Sequence, residues 1–258
     1  MKQDDLQNTM INFSSLKSLQ IIMALSTNLY TSIAELAKIT GLNKSTVHRI
    51  LNELAECDFV VKDEIQKKFR LGYQIISLAT KIQLTDYLFE LSKDKMKYLN
   101  DLSGETISLV ALNHHEGVYV GKVEAKNQIA LRFKVGWKLP LYCTSSGKAI
   151  LANQNTEFLD SYFSNIELKK YTENTIVDQS RLEAEFETIR KQGFAMDIME
   201  HNPDIICISA PIFLGNKQCI GTIGIVAPSY RFSKEKALSF KNDLTDVAQK
   251  ITEQLSSM

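Results

Sequence analysis

Residues 43–54, NKSTVHRILNEL, constrain this chain more than any other stretch. Asn43 is a good N-cap, because its side-chain oxygen can accept from the unpaired backbone donors of a first helical turn. Val47, Ile50, Leu51 and Leu54 then recur at helical spacing and define one apolar face. The other face carries Lys44, Ser45, Thr46, His48 and Arg49. Such side chains hydrogen-bond phosphates and base edges, and they crowd the N-terminal end, the end a recognition helix presents to the major groove. Alone, the stretch reads equally well as a solvated amphipathic helix, so its surroundings decide.

Upstream, residues 1–12 are polar and expected to fray. Ser14 or Ser15 then caps a helix running to about Ser26, with Leu16, Leu19, Ile22 and Met23 on its buried face. Thr31–Thr40 predicts a second helix, with Ile33, Leu36, Ala37 and Ile39 apolar and Gly41 supplying the left-handed residue that ends it. Helix, glycine turn, helix is the helix-turn-helix arrangement. Downstream, FVVKDEIQKKFRLG predicts two short strands around a charged turn, the wing of a winged helix. Lys67, Lys68 and Arg70 lie on or beside it, where phosphate contacts position a protein without specifying sequence. Ser32, just ahead of the second helix, joins Lys44, Ser45, Thr46, His48 and Arg49 as a candidate DNA contact. A plain solvated hairpin is the alternative, and adjacency to the reading helix argues against it.

The 30 basic and 30 acidic side chains cancel, which suits a sequence-reading protein more than a non-specific polyanion binder driven by counterion release. Locally the balance differs: Lys44 and Arg49 face no acid between Asn43 and Asn52. With 258 residues, 44% of them apolar, the chain is long enough for two domains. No apolar run approaches the roughly 20 residues that cross a bilayer, and MKQDDLQNTM lacks a signal peptide's apolar core. A cytoplasmic protein with no membrane partner is expected. Cys57, Cys143, Cys207 and Cys219 show neither CxxC pairing nor zinc spacing, which reads as reduced thiols without metal. No cofactor is expected.

Residues 73–103 predict two helices. The first carries a narrow stripe of Ile75, Leu78, Ala79 and Ile82 and suits a linker and dimer contact; the second carries Leu88, Leu91, Tyr98, Leu99 and Leu102. From Glu105 the apolar period becomes that of strands, in TISLVALN, GVYVGKVE and IALRFKV. His114 and His115 share a turn, point in different directions, and read as solvated rather than as a metal pair. GWKLPLYCTSSGKAILAN leads into a helix near Ser145, whose first backbone donors suit an anion, although a merely capped helix start looks the same. Asp178 or Ser180 opens a helix bearing Leu182, Phe186 and Ile189, closed by Gly193. Three strand-like runs follow, with a turn at Gly215-Asn216. Within them Asp197, between Met196 and Ile198, is either on a solvated strand face or buried and in need of partners. Lys234–Ser257 predicts one amphipathic helix. The order implies an α+β chain: a winged helix-turn-helix over 1–73, a linker helix over 74–86, and an effector-binding and oligomerisation domain over 87–258, built as an antiparallel sheet with flanking helices.

On NKSTVHRILNEL, GWKLPLYCTSSGKAILA and GFAMDIMEHNPDIICISAPI, in that order, the chain resembles the IclR-type transcriptional regulators over nearly its full length. The resemblance implies a winged helix joined to a GAF-like domain that binds a small organic acid. It also implies homodimers or tetramers on palindromic DNA operators, and hence a ligand-responsive regulator, expected to repress a catabolic operon. Carried over residue by residue, the ligand site would use Ser145, Ser146, Asp197, Cys207 and an apolar wall including Leu131. In TIGIVAP this chain has Gly224 and Val226 where members binding small keto acids place two serines. The ligand is therefore expected to be larger or more apolar than a two- or three-carbon acid. Two rivals remain. One is a thiol enzyme using Cys207 with His201 or Asp197, although an unassisted thiol in IICISA should be protonated and inert. The other is a DNA-binding protein whose C-terminal domain only oligomerises.

Overall fold

Backbone contacts divide the chain between Gln83 and Leu84. The computed structural model describes residues 14–27, 30–63, 67–79, 83–126, 133–215 and 218–256.

In the N-terminal unit, helices α1 (Ser14–Leu25), α2 (Ile33–Thr40) and α3 (Lys44–Glu56) surround a core of Ile21, Leu25, Leu36, Val47, Ile50, Leu51, Val60 and Phe69. Local chemistry sets both ends of α2. Ser32 accepts from the backbone N–H of Glu35, whose carboxylate accepts from the N–H of Ser32 at 2.8 Å, and Gly41 closes the helix at φ +71°. Such a capping box is worth about 1 kcal/mol. Strands β1 (Val60–Asp63) and β2 (Lys68–Leu71) pair antiparallel, and Thr31 exchanges two backbone hydrogen bonds with Phe69, fastening the hairpin to the start of α2. A short helix, α4 (Gln74–Ala79), follows.

The expected buried face of α1 is corrected. Leu19 and Met23 stand 54% and 68% exposed, and Ile21, Ala24 and Leu25 carry the packing. Apolar residues occur almost all round SSLKSLQIIMAL, so its period does not choose a face; packing against α2 and α3 does.

The C-terminal unit is built on a six-stranded sheet in the order β5-β4-β3-β8-β7-β6, each described pairing antiparallel. Its strands are β3 (Thr106–Asn113), β4 (Glu116–Val123), β5 (Lys138–Leu139), β6 (Ala195–Ile198), β7 (Ile205–Leu214) and β8 (Gln218–Pro228). Period-two alternation sends Ile107, Leu109, Ile206, Ile208, Ile223 and Ile225 to one face. They pack there with α5 (Gln83–Ser103), α9 (Lys234–Ser239) and α10 (Lys241–Ser256). From α10 alone Leu244, Val247, Ile251 and Leu255 are buried, each worth about 1.5–3 kcal/mol of transfer free energy. The other face carries α6 (Ser145–Ala152), α7 (Thr156–Asn165) and α8 (Gln179–Gln192), in a second core with Leu141, Tyr162, Leu182, Phe186 and Ile189.

Four expectations change here. The C-terminal helix is two helices, broken at Phe240, whose ring stacks on Phe232 at 6.1 Å. Tyr98 and Leu102 of α5 are 50% and 45% exposed, while Met96 and Leu99 are buried. Within IALRFKV only Phe133, Lys134 and Val135 are described, and they are not strand; the strand of that region is Lys138–Leu139. Helix α7, which no periodic stripe announced, is capped by Asn155 and buries Tyr162. Among the described residues no helix is long and apolar enough to cross a membrane.

Candidate functional site

The outer face of α3 is presented as the sequence suggested. Asn43 caps the helix by accepting from the N–H of Thr46 at 2.8 Å and from the Ser45 hydroxyl at 2.9 Å. Lys44, Ser45, His48 and Arg49 are exposed, and Thr46 is half-buried. Arg49 pairs with Glu53 one turn on. Ser32 is half-buried and donates its hydroxyl to Glu35 at 2.7 Å. On the wing, Lys67 is exposed at a left-handed turn residue, φ +52°, and Lys68 is half-buried. Arg70 is half-buried, donating to the carbonyl of Leu71 and lying 5.6 Å from the centroid of the exposed Tyr73 ring.

In the C-terminal unit a cavity of about 240 Å³ opens between the start of α6 and the sheet face beneath it. Every residue of α6, from Ser145 to Ala152, is buried, so the helix is enclosed on all sides. Thr144 caps it, accepting from the N–H of Gly147, and the hydroxyls of Ser145 and Ser146 lie 2.8 and 3.1 Å from that of Ser209 on β7. Strand register supplies the floor. Asp197, Cys207, Val226 and Thr106 form one cross-strand row, and Ala195, Ser209, Gly224 and Ser108 form the next. Directly opposed residues share a face, so the two rows lie side by side under α6. Ser145, Ser146, Asp197, Cys207 and Val226 all line the cavity, together with Ser108, Thr144 and an aromatic wall of Tyr119, Phe133 and Trp137. Tyr119 and Phe133 stack at 4.2 Å.

Gly224 is a correction. It is not part of the lining, because the Ser209 hydroxyl lies over it, 2.2 Å from where a Cβ would stand. The hydroxyl beside position 224 is that of Ser209, directly across the strand pair. Leu131 lies outside the described residues.

Asp197 is 3% exposed. Burial pushes its carboxyl up to about 7, against the N–H of Glu200, which donates to Oδ1 at 2.7 Å, and against the charge of Lys148. Lys148, in the middle of α6 and fully buried, donates to Glu185 on α8 at 2.6 Å and to Glu200. Burial alone would depress its ammonium, yet Glu200 and Glu185 hold it above the ordinary lysine range. Burial and the neighbouring Asp197 push the Cys207 thiol well up. His201 also lines the cavity, meets the Tyr171 ring edge-on at 4.9 Å, and is lowered by burial. His114 is exposed as expected, whereas His115 is half-buried and packs edge-on against Phe158 and Tyr162; the described residues hold no cluster suited to a metal.

Sequence reasoning missed Ser108, Tyr119, Trp137, Lys148 and Glu200. One signal for Lys148 was present: a lone cation inside the otherwise apolar and small run SSGKAILA must either snorkel or find acids.

A winged helix-turn-helix with a basic, hydroxyl-rich reading face, followed by an α+β unit enclosing a polar-floored cavity, defines a DNA-binding transcriptional regulator. The chain belongs to the IclR family: residues 16–64 match the IclR helix-turn-helix domain and residues 83–253 match the bacterial transcriptional regulator IclR C-terminal domain. It is 28% identical over 242 residues to the HTH-type transcriptional regulator KdgR of Escherichia coli, covering 94% of this chain and 92% of KdgR. It is 27% identical over 222 residues to the HTH-type transcriptional repressor AllR of the same organism, covering 86% and 82%. The crystal structure of Thermotoga maritima IclR aligns over 93% of this chain and 97% of that one, with 30% identity and a TM-score of 0.77.

Proposed function

We propose that this chain represses a catabolic operon and that a small organic acid, bound under the start of α6, tunes its hold on a palindromic operator. Ser32, Lys44, Ser45, Thr46, His48 and Arg49 contact DNA with Lys67, Lys68 and Arg70, and the protein acts as a homodimer or tetramer. Residues 1–73 read DNA, 74–86 link, and 87–258 bind effector and oligomerise. AllR, a named repressor, supports the direction of control. One observation carries the ligand reading: a cavity of about 240 Å³ lies where a helix N-terminus, two serine hydroxyls and a buried carboxyl converge. A helix N-terminus favours an anion, and Asp197, held near neutrality, can donate a proton to the bound acid rather than repel it. At just under the ~300 Å³ of drug-sized pockets, the space suits a metabolite larger than a two- or three-carbon acid.

The cavity weighs against a C-terminal unit that only oligomerises. The elevated Cys207 thiol weighs against the enzyme reading, since the thiolate is the nucleophile. The test pairs two measurements on Arg49→Ala. Retardation of the chain's own promoter DNA should be lost by about tenfold or more, in line with ~1–3 kcal/mol per base-contacting arginine, while thermal shifts with organic acids stay as in the unaltered protein. Loss of both, or of neither, would sink the assignment.

A further inference from the structure

One hydroxyl on the cavity floor has nothing to bind. Ser108 of β3 is 1% exposed, lines the cavity, and its Oγ has no hydrogen-bond partner among the described residues. A buried hydroxyl left unpaired costs about 1–3 kcal/mol, so a sequence keeps one where something supplies the partner. The other hydroxyls of its own row and of the adjoining Thr106 row are occupied. Ser209, in the same cross-strand row, is bound to Ser145 and Ser146. Thr106, two residues before Ser108 on the same face, accepts from the N–H of Ala125. Between Ser108 and Ser209 the row holds only Gly224. With strands about 4.8 Å apart, the two serine backbones stand roughly 10 Å apart, and the glycine leaves the floor between them low.

We propose that Ser108 hydrogen-bonds a second oxygen of the effector, distinct from the carboxylate at the α6 start, and so selects hydroxylated or oxo acids over their unsubstituted counterparts. The inference rests on the ligand reading above and narrows it to acids bearing oxygen away from the carboxylate. Val226, next to Cys207 in the adjoining row, offers no hydroxyl of its own. Ser108 therefore supplies a polar contact that the strand β8 does not. Discrimination follows the usual asymmetry: a site with a polar group built to bind an oxygen rejects the analogue that lacks it, because the group is then left unpaired.

The experiment measures binding of two matched pairs by calorimetry: D-gluconate against hexanoate, and 4-hydroxybenzoate against benzoate. The full chain is compared with Ser108→Ala and Asp197→Asn, and the melting temperature of each ligand-free variant is recorded. Ser108→Ala should weaken the oxygenated member of the bound pair about five- to tenfold, the value of one hydrogen bond, and leave its counterpart unchanged. Its ligand-free melting temperature should equal or exceed that of the unaltered chain, since an unpaired buried hydroxyl has been removed. A fall in melting temperature with equal weakening of both members would make Ser108 a structural residue and overturn the proposal. Unchanged binding by Ser108→Ala, with a pH dependence of acid binding that flattens in Asp197→Asn, would overturn it and leave the acid site standing. Absence of binding by all four acids to the unaltered chain would overturn the acid-site reading, and this inference with it.

Discussion

The backbone N–H of Glu200 donates to Oδ1 of Asp197 across 2.7 Å, and the side chain of the same Glu200 pairs with Lys148 inside α6. The helix that frames the anion-favouring end of the cavity is thus tied, through one lysine and one glutamate, to the carboxyl on its floor. The carbonyl of Glu200 is held as well, by the hydroxyls of Thr175 at 2.6 Å and Thr172 at 3.1 Å.

The proton on Asp197 should be visible in both stability and binding. The free carboxyl titrates near 3.8 and the folded one near 7. Between those values the folded chain keeps a proton that the unfolded chain releases. This contribution is therefore fully present below pH 3.8 and is lost as pH rises through about 7. Asp197→Asn should remove that decline, gaining on the parent by up to about 1.4 kcal/mol per pH unit across the window. Urea titrations at pH 5, 6, 7 and 8 check this, and a constant difference between variant and parent would refute it. An acid ligand bound beside the carboxyl needs the same proton, so its affinity should weaken from pH 6 to pH 8 in the parent and stay flatter in the variant.

Lys148→Met should be strongly destabilising. It removes the cation from between Glu185 and Glu200 and leaves Glu200, 6% exposed, without its counterion. Breaking one partner of such a buried pair costs about 3–5 kcal/mol. Adding Glu200→Gln should recover part of that loss, because the stranded charge is gone. Denaturant midpoints that moved by less than about 1 kcal/mol for Lys148→Met would show the network to be energetically idle.

Gly224 and Ser209 should behave as a pair. A Cβ at 224 would meet the Ser209 hydroxyl at 2.2 Å and the carbonyl of Ile208 at 3.0 Å. Gly224→Ser alone should cost about 1–3 kcal/mol from overpacking and weaken acid binding by pushing Ser209 off the start of α6. The double change Gly224→Ser, Ser209→Gly moves the hydroxyl across the strand pair and should restore most of both. Full stability of the single variant would mean the space is less tight than the geometry gives.

The reading helix was legible because its evidence is local. Asn43 caps, Val47, Ile50 and Leu51 recur at one helical period, and the polar face is simply what that period leaves over. Gly41 at φ +71° and the capping box at Ser32 are equally local. The α1 face was not legible, because apolar residues surround that helix and only its neighbours choose among them. The site divides in the same way. Ser145 and Asp197 stood out from the residues themselves, Ser146 and Cys207 came from motif resemblance, and all four line one cavity. Ser108 came from nowhere in the sequence: in TISLVALN, Thr106 and Ser108 alternate with Ile107 and Leu109, a pattern that reads as a polar face turned to water.

Signals that lie within a few residues were enough for the helix-turn-helix and its caps, the period-two strands, and the apolar faces of α8 and α10. Tertiary structure decided what covers each face. Packing α6 over β6, β7 and β8 made their polar row a cavity floor, buried Lys148 between two acids from distant segments, and raised Asp197 to about 7. Burial and pairing between residues far apart in the chain depend on the whole fold, and no window of sequence contains them.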